Sequence, residues 1–140
     1  MKSTLTILIT FICATALAQS NLAEQNRKIA LGVFEAFNAH NWELMISHYH
    51  QDVILEDPSL EGTQIGTSGM KEKYEGYAEY VPNIQDAVVN IYAFDQNVVI
   101  EFISHGTTVE GETFSLPICT VMTIKDGKIT RDATYYDLTN

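Results

Sequence analysis

The stretch VILEDPSLEG, residues 53–62, places two acids at the end of an apolar strand pattern, directly before a proline. In an extended chain Val53, Leu55 and Asp57 lie on one face because strand side chains alternate. Asp57 is therefore expected on the more apolar face, where its carboxylate could bind a ligand or move a proton. The alternative is a structural role, in which Asp57 accepts a backbone N–H near Ser59 or Leu60 and caps the turn that follows.

A second pair of ionisable residues lies in the strand pattern VVIEFISH, residues 98–105. Glu101 and His105 share one face of this pattern with Val99 and Ile103. A histidine beside an acid is a usable proton shuttle, and a carboxylate within an apolar run needs a partner or faces solvent. His105 and Glu101 are therefore functional candidates, with a structural histidine and a solvated glutamate as the alternatives.

Metal and thiol chemistry find little support in the pattern of ligating residues. His48 and His50 form an H-x-H pair, but i,i+2 spacing does not bring two side chains to one helical face, and no third ligand follows at a recognisable spacing. Cys119 is expected to be a small buried residue, because an activated thiol would need a basic neighbour. The chain contains no Gly-rich phosphate loop, no G-x-S-x-G elbow and no C-x-x-C pair. We predict neither a metal nor a cofactor.

The first residues, MKSTLTILITFICATALAQS, resemble a secretory leader more than a membrane span. Lys2 precedes a short apolar stretch, and Ala16-Leu17-Ala18 is an A-x-A cleavage pattern. We predict a signal peptide over residues 1–18, one domain over 19–140, and a secreted or periplasmic protein that leaves the membrane after cleavage. An uncleaved amphipathic anchor is the alternative.

The charge of the chain argues against nucleic-acid binding. The full sequence carries a net charge of −10, and loss of Lys2 with the leader leaves seven basic and 18 acidic residues, a net charge of −11. Such a surface repels phosphate backbones. Only Cys119 remains after cleavage, so no disulfide can form within the chain.

Hydrophobic periodicity predicts helices first and strands afterwards. Apolar residues recur at helical spacing over 21–39 and again, more briefly, from Trp42 to Tyr49, with Asn41 as the cap. A strand at 52–57, a loop at 58–67 and a helix at 68–80 capped by Ser68 follow. Four strands then complete the pattern, at 85–94, 97–109, 112–125 and 128–138, the last two joined by an Asp-Gly turn. This order predicts an α+β domain with helices on one face of a curved antiparallel sheet.

With this order of elements, the chain resembles a SnoaL-like domain of the nuclear transport factor 2-like superfamily. The residues that carry the resemblance are AFNAHNWELMISHYHQDVILEDP, then the glycine-containing loop, the meander, KDGKI and the terminal YYD. The superfamily includes ketosteroid isomerases and limonene epoxide hydrolases. The resemblance implies a cone-shaped fold, in which three helices and a curved, mostly antiparallel sheet enclose a pocket, and it implies a homodimer.

The resemblance also assigns a role to the opening motif. In steroid isomerases the E-D-P motif carries the general base, and Asp57 matches that position; an apolar pocket raises the pKa of such a carboxylate. Ketosteroid isomerases are an established example of an active site that shifts the pKa values of its carboxyl groups. SnoaL-like cyclases use an aspartate, and Asp137 in YYD is the candidate. Asp137 shares a face with Ala133 and Tyr135, so it either looks inward or ends the strand in solvent.

Other parts of the known catalytic sets are missing. The oxyanion tyrosine of the isomerases falls at Val33 and their protonated acid at Cys119, so ketosteroid isomerization is not expected. The arginine and aspartate of the epoxide hydrolases fall in EFIS, residues 101–104, where neither is present.

Two hypotheses of function therefore stand. The first is a cofactor-independent acid/base isomerase, cyclase, hydratase or hydrolase acting on a small hydrophobic molecule, with Asp57 as base and Asp137 or His105 as the second group. The second is a non-catalytic ligand-binding or dimerization module of the same fold. The predicted pocket residues are Trp42, Tyr74, Glu101, Cys119 and Tyr135.

Overall fold

The computed structural model describes residues 2–60 and 62–137, with side chains described from Gln19 onward. The helices are α1 (Lys2–Asn38), α2 (Trp42–Ser47) and α3 (Met70–Tyr80). The strands are β1 (Tyr49–Glu56), β2 (Gln64–Ile65), β3 (Gln85–Phe94), β4 (Asn97–Thr107), β5 (Thr113–Lys125) and β6 (Lys128–Tyr135). The predicted α+β class is confirmed, with the helices packed against a curved, unclosed mixed sheet.

The described strands form one six-stranded sheet in the order β2-β1-β6-β5-β4-β3. All neighbouring pairs are antiparallel except β1 and β6, which run parallel and bring the end of β1 beside the middle of β6. Asp126 and Gly127 both have positive φ between β5 and β6, as a tight hairpin turn requires. The Asp-Gly turn predicted from the sequence is therefore confirmed.

The long α1 helix covers the concave face of the sheet. Phe34 meets Phe102 of β4 edge to face with ring centroids 4.8 Å apart, and Ala30, Val33 and Phe37 are buried beside them. On β4 the buried residues are the even-numbered ones, Val98, Ile100, Phe102, Ser104 and Gly106. Their alternation shows which face of the sheet points inward.

Several predicted boundaries differ from those observed. Tyr49 was placed in the second helix by its apolar spacing, but it opens β1 and pairs with Ile129. Asn41 caps α2 as predicted, since its side chain accepts the Leu44 N–H at 3.1 Å. Ser68 does not cap α3; Gly69 precedes that helix with φ of 80°, without a side-chain cap. The two-residue β2 was not anticipated.

The helix that contains the predicted leader is continuous with the helix that packs on the sheet, since α1 begins at Lys2. Among the described residues, no helix is both long and apolar enough to cross a membrane. The last position of the predicted strand 128–138 lies outside the described residues. Cleavage and export remain predictions.

Candidate functional site

Three strands bring aspartates to the space between the sheet and the helices. Asp57 follows β1, Asp86 is the second residue of β3, and Asp132 lies within β6. Because β1 and β6 are neighbours and β3 lies at the far edge of the curved sheet, the three side chains approach the interior from different sides. Only Asp57 belongs to the predicted site.

The interior space is divided into three adjoining chambers, which share lining residues. The loop chamber, about 470 Å³, lies between Asp57, Asp132, Lys73 and residues of the 58–69 loop. The narrow chamber, about 70 Å³, is lined by Asp86 and Asp132. The aromatic chamber, about 280 Å³, is lined by Asp57 and Asp86 together with Phe37, Tyr74, Tyr77, Tyr80, Phe102, Phe114 and Tyr136. Each aspartate therefore faces two chambers, and Thr134 lines all three.

The carboxyl group of Asp132 lies in a partly buried position and is held by two hydroxyl groups. Tyr49 donates a hydrogen bond to Oδ2 at 2.8 Å, and Thr120 of the adjacent strand β5 donates one to Oδ1 at 2.5 Å. Burial raises the pKa of Asp132 above its ordinary value, although these two hydrogen bonds act in the opposite direction; the charge of Asp57 raises it further. Burial also raises the pKa of Tyr49, so that phenol keeps its proton and remains a donor.

Asp57 has the turn-capping role that the sequence offered as an alternative, and it also lines two of the chambers. Its Oδ1 accepts hydrogen bonds from the Ser59 N–H at 2.8 Å and the Ser59 hydroxyl at 2.6 Å, which is the turn-capping role. The Tyr136 hydroxyl donates to the same oxygen at 2.8 Å, and the Lys73 ammonium lies 3.8 Å from Oδ2. Burial favours a raised pKa, but these hydrogen bonds and the lysine charge outweigh it, so the pKa of Asp57 is lowered. Asp57 is thus an ionised carboxylate that also lines two chambers.

Asp86 is fixed by hydrogen bonds to its backbone, and one oxygen of its carboxyl group has no hydrogen-bond partner among the described residues. The Asn38 side chain, at the end of α1, accepts the Asp86 N–H at 2.7 Å and donates to the Asp86 carbonyl at 3.0 Å. Among the described residues, no hydrogen-bond partner reaches the buried Oδ1 of Asp86. Burial raises the pKa of Asp86 to about 6, while hydrogen bonding by Ser104 and the charge of His105 oppose the rise. A carboxylate that titrates near neutral pH and keeps an open acceptor is a suitable general base.

Acidic residues outnumber basic ones around the three chambers. Of the described residues that line the three chambers, Lys73 is the one lysine, and no arginine is among them. Its ammonium lies 5.7 Å from the ring centroid of Tyr74 and 5.5 Å from that of Tyr77. It is therefore close to Asp57 and to the rings that separate the chambers.

The two other predicted catalytic residues lie outside the chambers. His105 is exposed on β4, and its neighbours in the predicted face, Glu101 and Ile103, share the convex side of the sheet. Asp137 follows β6 by two residues and is exposed. The structure does not bring either residue to Asp57. Both are odd-numbered positions, and on β4 and at the end of β6 the odd-numbered side chains point to the convex face of the sheet.

The predicted pocket residues are divided between the two sides of the sheet. Tyr74 lines the narrow and aromatic chambers, and Trp42 is buried behind it, with ring centroids 5.9 Å apart. Glu101, Cys119 and Tyr135 instead surround a depression of about 430 Å³ on the convex face. The Cys119 thiol is partly buried, and burial raises its pKa, with the charge of Glu101 acting in the same direction.

Asp86 and Asp132 line the chambers but do not belong to the site predicted from the sequence. The alternation of side chains along a strand could have identified Asp132. Within TRDATYY, residues 130–136, Asp132, Thr134 and Tyr136 share a face, and all three line chambers. The predicted site residue Asp137 instead shares the opposite face with Ala133 and Tyr135. Among the described residues, no group of three or more His, Cys, Asp or Glu side chains is arranged to hold a metal ion.

Residues 30–132 match the SnoaL-like domain family, and the chain belongs to that family. The predicted resemblance is therefore confirmed. No curated protein matches the chain closely enough to count as a relative by sequence.

Solved structures support the same fold. TerC, co-crystallized with polyporic acid, is similar at 25% identity with a TM-score of 0.72, over 81% of this chain and 92% of that chain. A provisionally assigned polyketide cyclase from Xanthomonas campestris pv. campestris is similar at 21% identity with a TM-score of 0.71, over 83% and 93%. A provisionally assigned SnoaL-like polyketide cyclase from Jannaschia sp. CCS1 gives 17% identity and 0.73, over 84% and 88%.

Proposed function

We propose that this protein is a cofactor-independent acid/base enzyme of the isomerase, cyclase or hydrolase type, acting on a small hydrophobic molecule. The observation that carries the proposal is the convergence of Asp57, Asp86 and Asp132 on adjoining chambers, with the pKa of two of them raised and that of the third lowered. Pairs of carboxylates whose pKa values are pushed apart are the usual arrangement for acid and base roles.

The environments of the three groups suggest a division of roles. Asp86 offers an open oxygen and a pKa of about 6, so it is the proposed base that removes a proton beside a carbonyl or activates a water molecule. Asp132 faces the same narrow chamber and, with Tyr49 and Thr120, is the proposed second proton-transfer group. Asp57 stays ionised and orients the bound molecule, which replaces the base role expected from its sequence motif.

The proposal can be tested without knowing the natural substrate. The purified protein is incubated in D₂O with an aromatic ketone, an alicyclic ketone and a β-amino ketone, and loss of the α-hydrogen signals is followed by proton NMR. We expect exchange in at least one ketone above the buffer rate, with a roughly hundred-fold or greater reduction in Asp86→Asn. Asp52→Asn, which removes an equal charge from an exposed side chain, is the control and should exchange at the wild-type rate.

A non-catalytic binding module is the second candidate, favoured by the three hydrogen bonds that occupy Oδ1 of Asp57. That function predicts ligand binding with no α-hydrogen exchange in any ketone. Exchange that is equally fast in wild-type protein and Asp86→Asn would contradict the proposed base.

We propose in addition that the domain is exported and works as a homodimer. The depression on the convex face, with exposed Val89 and Tyr135 at its edge, would lie in the dimer interface. Native mass spectrometry of protein purified from the periplasm or medium reports the mature mass, the oligomeric state and any retained molecule together. A full-length monomer in that fraction would contradict leader cleavage and the dimer, and a protein found only in the cytoplasm would contradict export.

A further inference from the structure

The aromatic chamber has the composition of a site for an organic cation. Seven aromatic residues line this chamber of about 280 Å³, together with aliphatic side chains, and two of the aromatic residues, Phe37 and Tyr74, meet edge to face with ring centroids 5.9 Å apart. The faces of aromatic rings carry partial negative charge and attract ammonium groups, most strongly where water is excluded. The walls therefore favour a positively charged group over a neutral one of equal size.

The carboxylates of this chamber differ in whether a cation already accompanies them. Asp57 has Lys73 at 3.8 Å and three hydrogen-bond donors on its other oxygen. Asp86 has a buried Oδ1 without a partner among the described residues. A buried acceptor without a donor is costly, and in functional proteins it is commonly completed by a ligand or an ordered water.

No lysine or arginine among the described residues lines the aromatic chamber, since Lys73 lines the loop chamber instead. His105, whose charge reaches Asp86, is exposed on β4 and is not part of the chamber wall. The chamber thus contains two carboxylates and no cationic wall residue. The two carboxylates would repel an anionic group, whereas a cation would neutralise the negative charge of Asp86.

We propose that the aromatic chamber binds a protonated or methylated amine, with the nitrogen directed toward Asp86 and its alkyl groups packed on the surrounding rings. This inference names the substrate class for the same site and rests on the proposed function for the statement that the bound amine is a substrate. Binding alone does not depend on turnover, so the two are tested separately.

The experiment compares choline with 3,3-dimethylbutan-1-ol, which has the same shape with carbon in place of the charged nitrogen. Affinities are measured by NMR titration near neutral pH at physiological salt, with fluorescence of Trp42, the single tryptophan, as a second reporter beside Tyr74. We expect choline to bind at least roughly ten-fold more tightly than its carbon isostere, as a desolvated cation over aromatic faces should.

Two variants locate the effect. Asp86→Asn should remove most of the preference for choline and leave the affinity of the isostere nearly unchanged, and Asp52→Asn should keep the preference. If Asp86→Asn fails to fold, Phe114→Leu provides the test, because it replaces an aromatic wall by an aliphatic one and should weaken choline more than the isostere.

Equal or weaker binding of choline relative to the isostere in wild-type protein would overturn the inference. A preference that survives Asp86→Asn would show that the nitrogen is not directed toward Asp86, and a preference that falls equally in Asp52→Asn would assign it to the diffuse negative charge of the protein. Either result would also overturn the inference. Preference for choline without α-hydrogen exchange keeps the cation site and rejects the enzyme. α-Hydrogen exchange without a preference for choline keeps the enzyme and rejects the cation site.

Discussion

Glu101 and Asp132 are both carboxylates near the middle of a strand, yet the sheet places them in opposite surroundings. Glu101 is exposed on the convex face of β4 and accepts a hydrogen bond from the Asn90 side chain at 2.7 Å. Asp132 lies on the concave face of β6, where it is partly buried and receives hydrogen bonds from Tyr49 and Thr120. Strand position alone therefore does not decide the chemistry of an acid; the face of the sheet does.

The contrast extends to the neighbours of each acid. On the convex face Cys119 and Tyr135 lie near Glu101, and solvent screens the charges. On the concave face hydroxyl groups and aromatic rings replace part of the solvent, so the charge of Asp57 raises the pKa of Asp132. Desolvation on one face is thus what creates groups suited to proton transfer.

The largest effect is expected on activity, when an acid of the concave face is replaced. Asp132→Asn keeps the shape of the side chain and removes its ability to carry a proton. We expect the α-hydrogen exchange rate to fall by about 10²–10⁴, the usual contribution of a positioned acid or base. The rate is measured by NMR in D₂O on whichever ketone the wild-type protein exchanges, and an unchanged rate would remove Asp132 from the site.

The next effect concerns the dependence of stability on pH. Burial raises the pKa of Asp86 to about 6, whereas an unfolded aspartate titrates near about 3.9. The folded state holds that proton more tightly, so this group costs no stability below about pH 4, and its cost grows as the pH rises toward 6. At about 1.4 kcal/mol per pKa unit the full cost is of order 3 kcal/mol.

Asp86→Asn removes that cost, since an amide does not ionise. We expect the variant to gain free energy of unfolding relative to wild type above about pH 6 and to show no such gain below about pH 4. Urea unfolding at both pH values measures the difference. A gain of equal size at both would show that ionisation of Asp86 is not responsible.

A smaller effect is expected from filling the concave face with one methyl group. Gly106 of β4 is buried, and a Cβ atom there would collide with Val81 Cγ1 and lie 3.3 Å from Ile84 Cα. Gly106→Ala should therefore destabilise the fold by about 1–3 kcal/mol. Gly76→Ala is the matched control, because nothing lies within 4 Å of its added Cβ, and alanine should stabilise α3 by about 0.5–1 kcal/mol. Thermal unfolding of both variants distinguishes them by the sign of the change.

The smallest effect is expected on the convex face. Glu101→Gln preserves a hydrogen bond to Asn90 while removing a charge that the single protomer exposes, so the free energy of unfolding of the protomer should change by less than about 0.5 kcal/mol. Exchange activity should remain at the wild-type level, as measured in the same NMR assay. A loss of activity as large as that of Asp132→Asn would mean that both faces of the sheet take part in the chemistry.

The elements could be predicted from the sequence because each rests on local patterns. The Asp-Gly turn requires positive φ, Asn41 supplies a cap, and the long β4 and β5 strands are rich in β-branched residues. The grouping of Glu101 with His105 on one face was also correct. What alternation cannot supply is which face α1 covers, and that assignment depends on contacts between residues distant in the chain.

The site was harder to predict for the same reason. Asp132 stands between Arg131 and Ala133, in a segment without an apolar run, so no local pattern indicates that its side chain faces the chambers. Its environment is created by Tyr49 and Thr120, 83 and 12 residues away in the chain. Asp86 likewise owes its raised pKa to burial under α1 and its position to Asn38.

The most direct test of the central claim is a pH titration of the aspartate carboxyl groups by ¹³C NMR, with assignments from Asp57→Asn, Asp86→Asn and Asp132→Asn. We predict that Asp57 titrates below the ordinary value for aspartate, that Asp132 titrates above it, and that Asp86 titrates at about 6. If all three titrate together near the value of a solvent-exposed aspartate, the concave face does not differ from the convex face, and the proposed proton-transfer site is wrong.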